Sequence, residues 1–143
     1  MKILAIKSSG ERTGMSLMLN DEINSFTMDH DRKDRPNWDM FLDNIGHKKI
    51  FDLSEIDLFA FANNQNSFTA TRITATYLKG IATALKKPLI SIEDNSKNNL
   101  DVEELIIIAK EKFLSVEDGD KRFDPKNVNP TYEEDIKFRK LNE

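Results

Sequence analysis

Lys7-Ser8-Ser9 closes the first apolar run of the chain, and an ammonium beside two hydroxyls is a reasonable donor set for a phosphate. The plainer reading of the same residues is a solvated strand end. Asn63–Asn66 precedes a long helical pattern and could cradle an anion at a helix N-terminus, although such a stretch serves equally as a polar cap. His30 and His47 fall in polar loops without ligand partners at metal spacing, which makes them surface histidines. Acids are plentiful (Asp29, Asp31, Asp34, Asp39, Asp43), yet none falls at the end of a buried strand, and Asp57 precedes one. A paired-carboxylate nuclease site is therefore not expected. Arg32-Lys33 with Arg35, and Lys48-Lys49, read as solvated basic loops rather than nucleic-acid contacts. No catalytic residue, metal or cofactor is assigned.

The chain has 143 residues, enough for one domain with a core that needs no disulfide or metal. There are no cysteines, which suits a reducing compartment and removes thiol chemistry. Met1–Lys7 holds only four apolar residues between two lysines, far short of a signal peptide or membrane span, so a soluble cytoplasmic protein is expected. The net charge of −4 is mixed along the chain, so a broad electrostatic footprint for nucleic acid is absent and any RNA role should lean on a partner.

The elements that must position these groups follow from periodicity. Lys2–Lys7, Met15–Leu19 and Glu22–Met28 read as strands, the last two joined by a tight Asn20-Asp21 turn. Pro36 suits the first turn of a helix in which Trp38, Phe41, Leu42 and Ile45 recur at i, i+3, i+4 and i+7, and Gly46 stops it. Leu58–Ala62 is unbroken and apolar, as in a strand buried on both faces. A long helix follows with Ser67 as N-cap, then Leu89–Ile92 as a fifth strand. Right-handed crossovers make strands one, four and five parallel. The prediction is an α/β, ribonuclease H-like domain over 1–92, with a five-stranded mixed sheet in the order 3-2-1-4-5 and helices packed on it. Glu93–Leu100 reads as a linker and Asp101–Leu114 as a helix capped by Asn99 or Asp101. The charged tail Ser115–Glu143 has Phe123, Tyr132 and Phe138 as its anchors, and 93–143 as a whole is expected to pack on the first domain.

The long helix carries more apolar surface than one partner needs. Ile73, Ala84, Tyr77, Ala70, Ile81, Leu85, Leu78, Ala82 and Ala75 spread over roughly half its circumference, against a stripe of about 100° for an ordinary surface helix. A second packing surface is implied, within this chain or on another. Small residues (Ala70, Thr71, Thr74, Ala75, Ala82) would let a second helix come close, while Arg72, Lys79 and Lys86 form a line that stays in water.

At this helix the sequence resembles a known family. Asn66-Ser67-Phe68-Thr69-Ala70-Thr71-Arg72-Ile73, with Met1-Lys2-Ile3-Leu4-Ala5-Ile6-Lys7-Ser8-Ser9, the hairpin and Leu53-Ser54-Glu55-Ile56-Asp57, resembles TsaB, also called YeaZ. That accessory subunit belongs to the bacterial machinery that places threonylcarbamoyl on an adenosine of tRNA. Its usual helix start, Gly-Pro-Gly-Ser-Phe-Thr-Gly-Leu-Arg-Ile-Gly, coincides here at Ser67, Phe68, Thr69, Arg72 and Ile73 but not at the glycines. Lys86–Ile92, Glu104–Leu114 and Val128–Tyr132 are similar to later parts of the family. Typical members carry a second sheet lobe between these blocks, which Glu93–Leu100 replaces, so 93–143 looks like a remnant of that lobe. The resemblance also implies an actin-like (ASKHA) fold, whose first strand ends in an aspartate that holds a divalent cation; Lys7 stands there instead and cannot.

The resemblance implies a non-catalytic subunit that binds a TsaD-like catalytic partner, helps recruit a TsaE-like ATPase and touches tRNA only indirectly. It implies a helical-bundle interface formed by Trp38, Phe41, Leu42, Ile45, Ser67, Phe68, Thr71, Arg72, Ala75, Leu78 and Ala82, and the same face is expected to permit a homodimer. The rival readings are a homodimeric structural protein and a small nucleotide-binding phosphotransferase or nuclease.

Overall fold

The computed structural model describes residues 1–64, 67–94 and 100–128. Its strands are β1 (Lys2–Ser8), β2 (Arg12–Leu19), β3 (Glu22–Asp29), β4 (Leu58–Asn64) and β5 (Leu89–Asp94), and its helices α1 (Trp38–Ile45), α2 (Phe68–Leu85), α3 (Val102–Leu114) and the short α4 (Gly119–Arg122). The sheet order is β3-β2-β1-β4-β5. β1 runs antiparallel to β2 from Lys2↔Leu19 to Ser8↔Thr13, and parallel to β4 from Ile3↔Leu58 to Ile6↔Phe61. β4 and β5 are parallel from Phe59↔Leu89 to Asn64↔Asp94. The β2–β3 hairpin closes through Leu19↔Glu22, with Asn20 in the left-handed region at φ 59, a conformation asparagine tolerates.

Alternation sorts the strand residues onto two faces. Leu4, Ile6, Met15, Leu17, Phe59, Phe61 and Leu89 meet Phe41, Leu42 and Ile45 of α1 and Ala75, Leu78 and Ala82 of α2. Ile3, Ala5, Met18, Ala60, Ala62, Ile90 and Ile92 meet Val102, Leu105, Ile106 and Ala109 of α3. The large rings of β4 thus point to the two-helix side and its alanines to the one-helix side. α3 comes close enough that a Cβ on Gly14 would stand 3.2 Å from Val102.

Local details differ from the sequence reading for identifiable reasons. Pro36 lies before α1, whose N-cap is Asn37; its side chain accepts from the Met40 N–H (3.3 Å). Ser67 occupies the N-cap position of α2, but its hydroxyl donates to the Ser9 carbonyl (3.0 Å) and ties the helix to the β1–β2 turn. Glu93 and Asp94 extend β5 because β4 continues to Asn64 and offers them partners, so the linker begins later than expected. Asp101 caps α3 through the Glu104 N–H (2.7 Å). The tail is less irregular than expected: α4 is followed by a 3-10 turn, Pro125–Asn127, and Phe123 packs on Phe113 with ring centroids 6.0 Å apart. Asn66, Asn99, Tyr132 and Phe138 lie outside the described residues, as does most of the connection from Asp94 to Leu100.

Candidate docking edge and strand-end cavities

α1 and α2 lie side by side on one face of the sheet, so the residues expected to meet a partner divide into two sets. Phe41, Leu42, Ile45, Thr71, Ala75, Leu78 and Ala82 are buried in the chain's own core. There they cover the sheet residues Phe59 and Phe61. Trp38, Ser67 and Phe68 are half-buried and Arg72 is exposed. The expected seam therefore narrows to an outer edge, with Ile73, Tyr77 and Ile81 half-buried beside it and Thr69, Thr76, Gly80, Thr83 and Ala84 exposed.

This edge is unusual in composition. The solvent side of a surface helix is ordinarily charged, whereas α2 carries only two charged residues, Arg72 and Lys79. Gly80 is open on its outer side, with nothing within 4 Å of where a Cβ would stand. Trp38 stacks on Tyr77 with ring centroids 4.6 Å apart and an interplanar angle of 10°, which fixes α1 to α2 and leaves a flat aromatic rim. Burial there, with the nearby Asp39 charge, pushes the Tyr77 hydroxyl up to about 12.

The strand ends hold a second arrangement. Lys7 Nζ lies 3.0 Å from Asp94 Oδ2 and also donates to the Leu100 carbonyl. The Asp94 side chain is fully buried and that of Lys7 is 14% exposed. An acid does therefore close a buried strand, contrary to expectation. The sequence reading missed Asp94 by ending the fifth strand at Ile92; the signal was Lys7 itself, a cation in an apolar strand that needs a counter-charge. Lys7, Arg12, Ser25, Thr27 and Glu103 line an adjoining cavity of ≈ 440 Å³.

The three donors considered for a phosphate are occupied within the chain. Lys7 serves Asp94, the Ser9 hydroxyl donates to the Arg12 carbonyl (3.3 Å), and Ser8 Oγ lies 2.8 Å from Thr13 Oγ1. Thr13 Oγ1 is in turn 2.7 Å from His30 Nε2, and His30 Nδ1 is 3.0 Å from the Asp31 carbonyl. A carbonyl only accepts, so that network assigns the proton to Nδ1 and leaves Nε2 to accept from Thr13 in the neutral ring. His30 is thus half-buried and bonded rather than a plain surface group, and His47 is half-buried against Phe51. The relay borders a cavity of ≈ 450 Å³ lined by Ser8, Gly10, Arg32, Asp34 and the start of α2. Its innermost hydroxyls are turned inward, Ser8 being 5% and Thr13 0% exposed. They fasten β1, β2 and the segment after β3 together.

A five-stranded 3-2-1-4-5 sheet with two helices on one face and one on the other defines a ribonuclease H-like α/β domain. Among solved structures it is similar to YeaZ from Pseudomonas aeruginosa, with 24% identity, a TM-score of 0.60 and coverage of 65% of this chain and 44% of that one. It is also similar to an uncharacterized protein described as having "similarity to peptidase YEAZ from Pseudomonas aeruginosa", with 26% identity, a TM-score of 0.55 and coverage of 65% of this chain and 43% of that one. The fold is YeaZ-like. The chain spans less than half the length of the YeaZ structures it matches. No protein-family model matches the sequence, and neither does any curated protein. Among the described residues no helix is long and apolar enough to cross a membrane.

Proposed function

We propose that this chain is a non-catalytic, cytoplasmic TsaB-like subunit. It docks through the outer edge of α1 and α2 on a TsaD-like catalytic protein, works with a TsaE-like ATPase and supports threonylcarbamoyladenosine modification of tRNA without itself carrying out the transfer. The observation behind this reading is the solvent side of α2. Thr76, Gly80, Thr83 and Ala84 form a low, uncharged strip flanked by Ile73, Tyr77 and the Trp38 ring. Small side chains let a second helix approach closely and lose little conformational entropy on contact. The YeaZ-like fold supports the family, and the use of Lys7 to neutralise Asp94 leaves that ammonium committed within the chain. A subunit of this kind acts by binding one arrangement of its partner better than another.

Gly80→Arg tests the reading. The outer side of Gly80 is empty, so the variant is expected to fold with an unchanged circular-dichroism spectrum while losing co-elution with the host's TsaD-like protein. Undiminished co-elution of the folded variant would overturn the assignment of this edge. Stable self-association in the parent chain, with no affinity for the TsaD-like protein, would favour the homodimeric structural reading.

A further inference from the structure

β3 forms one edge of the sheet, and a single hydrogen bond shows which of its backbone groups are free. The His30 N–H donates to the Glu11 carbonyl (2.8 Å), one step beyond the pair Arg12↔Asp29. Bonded and non-bonded pairs alternate along an antiparallel ladder, so Glu22, Asn24, Phe26 and Met28 turn their N–H and C=O to β2, while Ile23, Ser25, Thr27 and Asp29 turn theirs outward. Among the described residues nothing bonds to the outward groups of Ile23, Ser25 and Thr27. At the other edge the first N–H of β5, on Leu89, is taken by the Phe123 carbonyl (2.9 Å). Exposed edges are ordinarily guarded by lysine, proline, a bulge or brevity. β3 has eight residues, none of them lysine, proline or glycine, and its ladder runs without a bulge.

The strand also fits a copy of itself. Outward groups bond only to outward groups, so antiparallel self-pairing must set odd residues against odd ones, centred on Ser25 or on Phe26. Centring on Ser25 puts Asn24 against Phe26 and Asp29 against Asp21. Centring on Phe26 puts that ring against itself in a close non-bonded pair, with Asn24 against Met28, Ser25 against Thr27 and Ile23 against Asp29. Ile23, Phe26 and Met28 are half-buried, and this pairing would cover them further. Charges are confined to the two ends: Glu22 faces His30, Asp21 faces Asp31 outside the ladder, and Arg12 and Arg32 are paired with Asp29 and Glu11.

The helix layer matches the same arrangement. α1 rests on β2 and β3, with the Phe41 and Phe26 ring centroids 5.3 Å apart. Its counterpart in a second copy would stand two strand spacings away, about 10 Å, which is a helix-packing distance. The flank of α1 on the Phe41 side carries Met40 and Asn44 and no charge, whereas Asp39 lies on the side of Tyr77. An eight-residue strand is about 27 Å long and the sheet with one helix layer roughly 20 Å deep, so each copy would bury on the order of 500 Å². Two such faces reach the lower bound of about 1,000 Å² for a specific interface. We propose that β3 pairs with β3 of a second copy about a two-fold axis at Phe26, joining two five-stranded sheets into one. A contact of that size makes a weak, concentration-dependent dimer. α2 packs over β1, β4 and β5, away from this edge, so docking on its solvent side and self-pairing at β3 can each fail alone.

The test is sedimentation equilibrium of the full chain over a concentration series reaching about 0.3 mM, and the expected result is a monomer–dimer equilibrium. Ser25→Pro removes an outward N–H and leaves every backbone bond to β2, so it should keep the parent's circular-dichroism spectrum and weaken self-association at least tenfold. Gly80→Arg, on the outer side of α2, should leave the dimer unchanged. The chain has no cysteine, so N24C/M28C reports the register directly. Within one chain four residues of strand separate the two thiols by about 13 Å, too far for a disulfide, whereas facing residues of a non-bonded pair are close enough. Mild oxidation should therefore give a disulfide-linked dimer in N24C/M28C and none in N24C alone, and this result decides alone should Ser25→Pro fail to fold. A parent that stays monomeric throughout the series, undiminished dimerisation of folded Ser25→Pro, loss of the dimer in Gly80→Arg, or no cross-link in N24C/M28C would overturn the proposal.

Discussion

Lys7 and Asp94 show how a single pair can govern a local architecture. Removing the ammonium by Lys7→Met would strand a carboxylate in the interior, so a loss of roughly 3–5 kcal/mol in urea denaturation is expected. Replacing both partners, Lys7→Met with Asp94→Leu, should recover most of it, because a packed apolar pair has no charge to desolvate. A single Lys7→Met variant as stable as the parent would remove the pair from the account of the fold. Tyr77 makes a prediction of opposite character. Its native hydroxyl is held up at about 12 against an unfolded value of 10.0, so the folded state keeps the proton longer. The associated stability is full below pH 10 and falls as pH rises from 10 to 12. Spectrophotometric titration of the parent against Tyr77→Phe would reveal a late-ionising phenol; a difference spectrum already complete near pH 10 would contradict the burial described. Of these residues Tyr77 was legible as a member of the apolar arc. The partner of Lys7 was not, because a single charge next to an apolar strand is invisible to periodicity once the strand's end is misplaced.

At the scale of elements, α2 lies between the sheet and solvent, and its two sides should respond differently. Gly80→Ala, in an exposed helix interior, is expected to stabilise the fold by up to ~1 kcal/mol, measured as a rise in urea midpoint. Ala75→Arg and Leu78→Arg, which point into the core, should cost more than about 4 kcal/mol, since each buries an unpaired charge. A folded Leu78→Arg chain would mean that α2 is rotated from the orientation described. Gly46→Ala should cost at least about 1–2 kcal/mol. Gly46 has φ 102, and a Cβ there would collide with the Ile50 side chain. The strands and the three long helices were readable because their apolar residues recur at 2.0 or 3.6. Which part of the α2 arc met the sheet was not, since small and large apolar residues alternate around it and only the positions of Phe59 and Phe61 decide. Ser67 illustrates the same limit: its type suited a cap, but a nearby carbonyl on the β1–β2 turn took the proton instead.

Considered whole, the molecule is a sheet covered on both faces, and the cover of one face comes from beyond residue 92. A chain ending at Asp94 would leave Ile3, Ala5, Met18, Ala60 and Ile90 bare of α3, and it is expected to aggregate or unfold when expressed alone. The one-helix side was anticipated only as a helix packing somewhere on the first domain, because the small size of Ala60 and Ala62 reports close approach without naming what approaches. The pinning of Asp94 and Leu100 to one ammonium has a further reach. Both described margins of the 95–99 connection are held to β1 through Lys7, so replacing the intervening sequence by a glycine-serine stretch of equal length is expected to leave stability in urea within about 1 kcal/mol of the parent's. Lengthening such a closed segment costs only about 0.6 kcal/mol per doubling.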